Sequence, residues 1–387
     1  MGNQGEQITI PAIYMRGGTS KGVFFLQDDL PSDPAIRDKV LLRIIGSPDP
    51  YEKQIDGMGG ATSSTSKVVI LSKSERPGCD VDYLFGQVAI GQSMIDWSGN
   101  CGNLTSAVGP FAIHRNLIEA PENGLATVNI WQENIGKKII AHVPVKNEKV
   151  QELGDFELGG VTFPAAEIKL EFIDPTADGG VFPTGNPVDR LHVPGIGDIE
   201  ATLINAGNPA VFVSASSLGL SGTELQADIN SNAELLNRFE AIRAHSAVIM
   251  GLEESVEDAK KRQHTPKIAF FEEAKRYTTS AGKEVDGSDI DILARILSMG
   301  KLHHAMTGTG AVAIAAAASI PGTIVSKILG DTRSELRFGH PSGTLAVGAE
   351  AADEETGWTV KKVVMSRSAR RLMEGSVLVP DFDTGSL

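Results

Sequence analysis

Cysteine is nearly absent from this sequence, with Cys79 and Cys101 the only two in 387 residues. That is too few for a disulfide framework and fits a reducing compartment. No run of about 18 apolar residues occurs, which argues against a membrane-spanning helix. The opening residues, Met1-Gly2-Asn3-Gln4-Gly5-Glu6, have neither the basic start nor the apolar core of a secretory signal, so a cytoplasmic location is expected. Positive charge is in deficit too: 35 Lys and Arg stand against 49 Asp and Glu, a net charge of −14. With no basic stripe to offset it, general nucleic-acid binding is excluded. An anionic substrate would then have to be attracted by local Arg, Lys and backbone N–H groups against an unfavourable overall field.

Familiar cofactor motifs are missing or broken. There is no HExxH and no CxxC, and the adjacent His303 and His304 would point in different directions on a helix, so no metal site is expected. Gly308-x-Gly310-x-x-Ala313 matches the letters of a dinucleotide fingerprint, but no buried strand precedes it and no βαβ unit surrounds it. The small-residue run Gly60–Lys67 lacks the glycine before its lysine and leads into a strand, which rules out a phosphate loop.

What the chain does have is glycine, 42 residues of it, and two helix-length segments without charge. The first, Leu104–Ile113, follows the polar collar Ser98-Gly99-Asn100-Cys101-Gly102-Asn103; the second, Ala311–Ala318, follows Met306-Thr307-Gly308-Thr309-Gly310. A helix that is apolar or small on every face must be buried all round. In a chain otherwise rich in strand-like runs, sheet must surround it. The two units lie about 200 residues apart, which hints at an internal duplication.

The expected fold class is α+β, with two similar domains, residues 1–185 and 186–387, divided in the Pro-, Gly- and Asp-rich stretch 173–197. Each would be a curled sheet round a central helix, with both helix starts aimed at the cleft between them and the C-terminal tail free to return to the first domain. Locally, a helix is expected from Pro34, capped at Asp33 and stopped at Gly46. A longer helical region is expected over 222–250 and another helix over Ile290–Met299. Strands are expected over 161–172, 267–271 and 323–328, among others.

Cys101 stands out because a cysteine that merely packs needs no flexible polar collar. At a helix start it would also sit beside unpaired N–H groups and the positive end of the dipole, which lowers a thiol pKa and binds an anion. Cys79 lies in a turn and is read as incidental. Lys67 is a lone lysine at the mouth of a strand, after a run of small residues suited to a substrate cleft. Arg16, Ser20 and Lys21, in the first glycine-rich turn, read either as an exposed hairpin tip or as carboxylate ligands.

Four blocks carry a resemblance: Met15-Arg16-Gly17-Gly18-Thr19-Ser20-Lys21-Gly22, Asp56 through Lys67, Asp96 through Asn103, and Gly339-His340-Pro341-Ser342-Gly343. In this order they resemble the PrpF family, within the diaminopimelate epimerase-like superfamily. The resemblance implies cofactor-independent isomerisation of 2-methylaconitate in propionate breakdown through the methylcitrate cycle, with relatives acting on aconitate, methylitaconate or oxalomesaconate. It implies a small-molecule tricarboxylate as the partner and no cofactor; the residues themselves point to no metal, no nucleic acid and no membrane, and a homodimer is left open.

Carried onto this sequence, the catalytic pair is Lys67 and Cys101. The substrate-binding set is Arg16, Ser20, Lys21, Ser66, Asn100, Gly102, Asn103, Thr307, Gly308, Thr309, Gly310, His340, Ser342 and Gly343. Epimerases of the superfamily use two cysteines, one on each face of the carbon; here the second position is Thr307. A hydroxyl cannot easily take a carbon-bound proton, so two-thiol stereoinversion of an amino acid is not expected. Lys67 is the favoured base, yet a solvated lysine is protonated at neutral pH and an anionic substrate would raise its pKa further. The Cys101 thiolate is the alternative, with Lys67 then pairing a carboxylate.

Overall fold

The computed structural model describes residues 7–176, 180–355 and 357–380. In the first half these form β1 (Gln7–Gly17), β2 (Ser20–Leu26), α1 (Pro34–Ile45), β3 (Lys67–Lys73), β4 (Val81–Val88), β5 (Ile95–Asp96), α2 (Thr105–His114), β6 (Asn123–Gln132), β7 (Lys137–Lys146), β8 (Lys149–Val150) and β9 (Ile168–Ile173). The second half begins with β10 (Asp189–Val193), β11 (Gly197–Ala206), β12 (Asn208–Ser214), α3 (Gln226–Asn230), α4 (Ala233–Ile249), α5 (Val256–Lys261), β13 (Lys267–Glu273), β14 (Tyr277–Thr278) and β15 (Glu284–Val285). It continues through β16 (Ile292–Ser298), β17 (Lys301–Leu302), α6 (Gly308–Ser319), α7 (Ile324–Leu329), β18 (Glu335–His340), β19 (Gly343–Glu354), β20 (Gly357–Arg367) and β21 (Ala369–Pro380).

Nearly all the strands join one mixed sheet whose pairing order repeats. In the first half β1–β2 is a hairpin, β2 runs parallel to β3, β3 pairs antiparallel with β4, β4 runs parallel to β6, and β6, β7 and β9 follow antiparallel. In the second half β11–β12, β12∥β13, β13–β16, β16∥β18 and β18–β19–β20 repeat every step and every sense. The halves meet where β9 pairs with β20. The last strand, β21, leaves its own half and pairs along β1 from Gln7 to Gly17.

Side-chain pattern explains the elements that fix the site. β3 and β13 are continuous apolar runs because each is covered on both faces. α1 begins where the Asp33 carboxylate accepts the Ala35 and Ile36 N–H groups and stops at Gly46 with φ 84°, as the sequence indicates. α2 is buried from Thr105 to Ile113 and α6 from Gly308 to Ala318. α2 touches β1, β6, β7, β8, β9 and β21; α6 touches β11, β12, β18, β19 and β20. Side chains of both helices belong to one continuous apolar core.

Three local expectations are corrected. Ile290–Met299 is not a helix: Ile292–Ser298 is the strand β16, buried at every residue, and a short run apolar on both faces carries no period that separates strand from buried helix. The stretch 323–328 is not a strand: Thr323 caps α7 by accepting the Ser326 N–H, and Gly330 ends it at φ 75°, two helix signals outweighed in the sequence by β-branched residues. In 161–172 only β9, from Ile168, is extended. Among the described residues no helix is long and apolar enough to cross a membrane.

Candidate active site

Lys67 opens β3, Cys101 lies in the loop before α2, and the fold brings the two side chains together in one pocket. Lys67 is buried; its Nζ donates to Gln87 Oε1 at 2.7 Å and lies 4.8 Å from the centre of the Phe85 ring. Burial disfavours the ammonium form and pulls its pKa below the ordinary lysine value, while Cys101 works in the opposite direction. The Cys101 Sγ accepts the Leu104 N–H at 3.5 Å, which ties the thiol to the start of α2. The Arg367 guanidinium, also buried, adds positive charge nearby and donates from Nε to Asn103 Oδ1 at 3.2 Å.

The other half supplies a matching set. Thr307 precedes α6 as Cys101 precedes α2, and its Oγ1 accepts the Gly310 N–H at 3.1 Å, the same three-residue step as Cys101 to Leu104. The two loops touch through backbone. A Cβ added to Gly102 would lie 2.7 Å from the Gly308 carbonyl carbon, so only glycine allows this approach. Asn100 and Asn208 lock the contact from the side: the Asn100 N–H donates to Asn208 Oδ1 at 2.9 Å and Asn208 Nδ2 donates to the Asn100 carbonyl at 3.0 Å.

Two residues missed in the sequence reading belong here. Lys267 opens β13 as Lys67 opens β3, and it too reaches the side chain opposite it on the neighbouring strand: Lys67 bonds Gln87 on β4, and Lys267 Nζ donates to Ser298 Oγ on β16 at 3.4 Å. It also donates to the His264 carbonyl at 3.0 Å. Its pKa is pulled down to about 7 by burial first, then by the positive charge of Lys67. His264 is buried with neither ring nitrogen hydrogen-bonded, and burial keeps its imidazole neutral. The usable signal was the duplication itself, because Lys67 and Lys267 each open an apolar strand-like run.

Lys67, Cys101, His264, Lys267 and Thr307 line a small pocket of about 20 Å³, completed by Ser20, Asn100, Gly102, Asn103, Gly308 and Thr309 among others. It adjoins a larger cavity of about 830 Å³, since Ser20, Ser63, Ser298 and His303 line both. Arg16 and Lys21 line the larger cavity, joined by Lys301 and Arg370. Arg16 donates to the Gly18 and Ser368 carbonyls. Burial, and Arg370 close by, lower its pKa only to about 10, which leaves it charged.

The remaining expected residues stand behind these surfaces. Ser66 donates to Gln54 Oε1 at 2.7 Å, and Gly310 closes the first turn of α6. His340 is buried and accepts the Ser342 N–H, Ser342 donates to the His304 carbonyl, and Gly343 starts β19. Ser342 thereby braces the loop that carries His303 and His304, and none of the three lines either space.

A buried amine and thiol from one half face a buried amine and hydroxyl from the other, an arrangement suited to moving a proton at carbon. The crystal structure of a methylitaconate-delta-isomerase superposes with a TM-score of 0.78 at 41% identity, covering 97% of this chain and 96% of that one. A probable proline racemase from Agrobacterium radiobacter K84 shares the fold at 12% identity and TM-score 0.56, over 97% of this chain and 94% of its own. The chain is thus an α+β protein built on a large mixed sheet, of the racemase-like fold. It belongs to the PrpF family, described as PrpF protein, which it matches over residues 7–380. A 2-methyl-aconitate isomerase of Cupriavidus necator is 62% identical over 387 residues, 97% of this chain and 98% of that relative.

Proposed function

We propose that the chain isomerises an unsaturated tricarboxylate, 2-methylaconitate foremost, without a cofactor. The observation that carries this reading is the Lys67–Cys101 juxtaposition, buried in a pocket that opens toward a cation-lined cavity. Removal of a proton from the carbon next to the double bond breaks that C–H bond, and the electron pair spreads into a dienolate ending on a carboxylate oxygen. The former double bond loses order, the skeleton rotates, and the same proton-bearing group returns a proton to carbon. Lys67, whose ammonium form burial disfavours, is the base in this scheme, with the Cys101 sulfur beside it. The remaining carboxylates face Arg16 and Lys21 in the larger cavity, whose size suits a small organic acid.

The repeated strand order also supports two similar domains, residues 1–185 and 186–387, each folded round its own buried helix and meeting at the Gly102–Gly308 contact. The activity is tested by proton NMR of the purified protein with 2-methylaconitate in heavy water and no additive. The expected result is cis–trans interconversion with deuterium entering the carbon next to the double bond. Interconversion without deuterium entry would remove the proton-transfer scheme, and turnover of methylitaconate or oxalomesaconate alone would move the substrate assignment to that acid.

A further inference from the structure

Two buried amines share one small pocket, and among the described residues neither forms an ion pair. Buried charges are ordinarily paired, so a pocket that gathers two lysines without a carboxylate is incomplete until an anion enters it. We propose that Lys267 is a second substrate-binding amine, which receives a carboxylate of the substrate and takes up a proton as that anion arrives. The proposal rests on the tricarboxylate reading and adds to it a residue and a proton.

The groups facing Lys267 settle the direction. Lys67 from β3, Arg243 from α4 and the neutral His264 and His303 offer no negative charge; Cys101 and the buried Asp96 on β5 favour the ammonium form, yet burial and Lys67 outweigh them. In the empty pocket Lys267 therefore loses its proton near neutrality. A carboxylate against Nζ raises that pKa, so binding draws in a proton wherever the empty amine is neutral and the occupied one charged.

A division of labour follows. Two ammonium groups this close repel, so the amine holding the carboxylate takes the proton and the other stays neutral. With Lys267 charged by the substrate, Lys67 is free to act as base, which answers the difficulty that an anionic substrate would otherwise protonate it.

Trans-aconitate, a tricarboxylate close in shape to the substrate, serves as the probe. Calorimetric titration in two buffers of different ionisation enthalpy counts protons taken up on binding. The wild-type chain is expected to take up about one proton per ligand near pH 8.5 and almost none near pH 6, where Lys267 is already charged. Lys267→Arg, charged throughout, is expected to keep binding within roughly tenfold and lose the uptake. Lys267→Met is expected to bind more than tenfold more weakly, with melting temperature unchanged or raised. Undiminished uptake in Lys267→Arg, or wild-type affinity in Lys267→Met, would overturn the assignment to Lys267 and leave the tricarboxylate reading intact. No binding of trans-aconitate to the wild-type chain, together with no turnover of 2-methylaconitate, would overturn that reading and this proposal with it.

Discussion

Lys67→Met is expected to lower kcat by about 10³-fold or more, at the upper part of the range for removing a general base, while the protein folds normally. Methionine nearly matches the lysine stem in shape and leaves no charge to bury, and burial of the Lys67 amine is itself unfavourable, as its depressed pKa records. The melting temperature should therefore hold or rise, which separates lost chemistry from lost structure. Cys101→Ser is the comparison. The Leu104 N–H that reaches sulfur can reach a serine oxygen, so the loop should survive. If Lys67 is the base, the serine variant should retain exchange of substrate hydrogen with heavy water at a rate well above the methionine variant.

The opposite order, with exchange surviving in Lys67→Met and abolished in Cys101→Ser, would make the thiolate the base and Lys67 a carboxylate partner. The pH profile carries an independent sign. A lysine base works only when neutral, and burial lowers the Lys67 pKa. Activity should therefore rise with pH along a limb that lies below the ordinary lysine value of about 10.4.

Much of this site was legible from the sequence because its chemistry is concentrated in short loops before helices. A cysteine within Asn100–Asn103 and a threonine within Met306–Gly310, each leading into an uncharged helix, can be read without coordinates. The fold class followed from the same helices, since side chains that are apolar all round have to be enclosed. What escaped depends on long-range pairing. Lys267 looks like an ordinary lysine until β12 and β13 are seen to repeat β2 and β3. Arg367 and Asn208 reach the loop before α2 from 264 and 108 residues away.

The block Gly339–Gly343 shows the converse. Its residues belong to a recognisable motif, yet Ser342 holds the backbone of His304 in place and none of the block lines the pocket. A motif marks positions under constraint without separating contact from support. The misread β16 has a simpler cause: being buried on both faces erases the alternation by which a strand is recognised.

Gly102→Ala is the substitution expected to do most damage to the architecture. Its new methyl would sit 2.7 Å from the Gly308 carbonyl carbon and 2.9 Å from the Thr309 nitrogen, both backbone atoms at the start of a buried helix, so no flexible side chain can yield. Alanine at an ordinary position just before a helix would be neutral or mildly favourable, which makes the expected sign a direct reading of this contact. Overpacking of this kind costs about 1–3 kcal/mol, and the melting temperature should fall accordingly.

Activity should fall further than stability does. The methyl forces apart the two loops that carry Cys101 and Thr307, and a displacement near 1 Å at reacting groups can cost about 10²-fold. Gly348→Ala is the control: its methyl would meet nothing closer than the Ser334 carbonyl oxygen at 3.5 Å, an ordinary contact, so stability and activity should stay near wild type. Near-wild-type turnover in Gly102→Ala would mean that the two helix starts can separate without consequence, and the pocket between them could not then be the place where the proton moves.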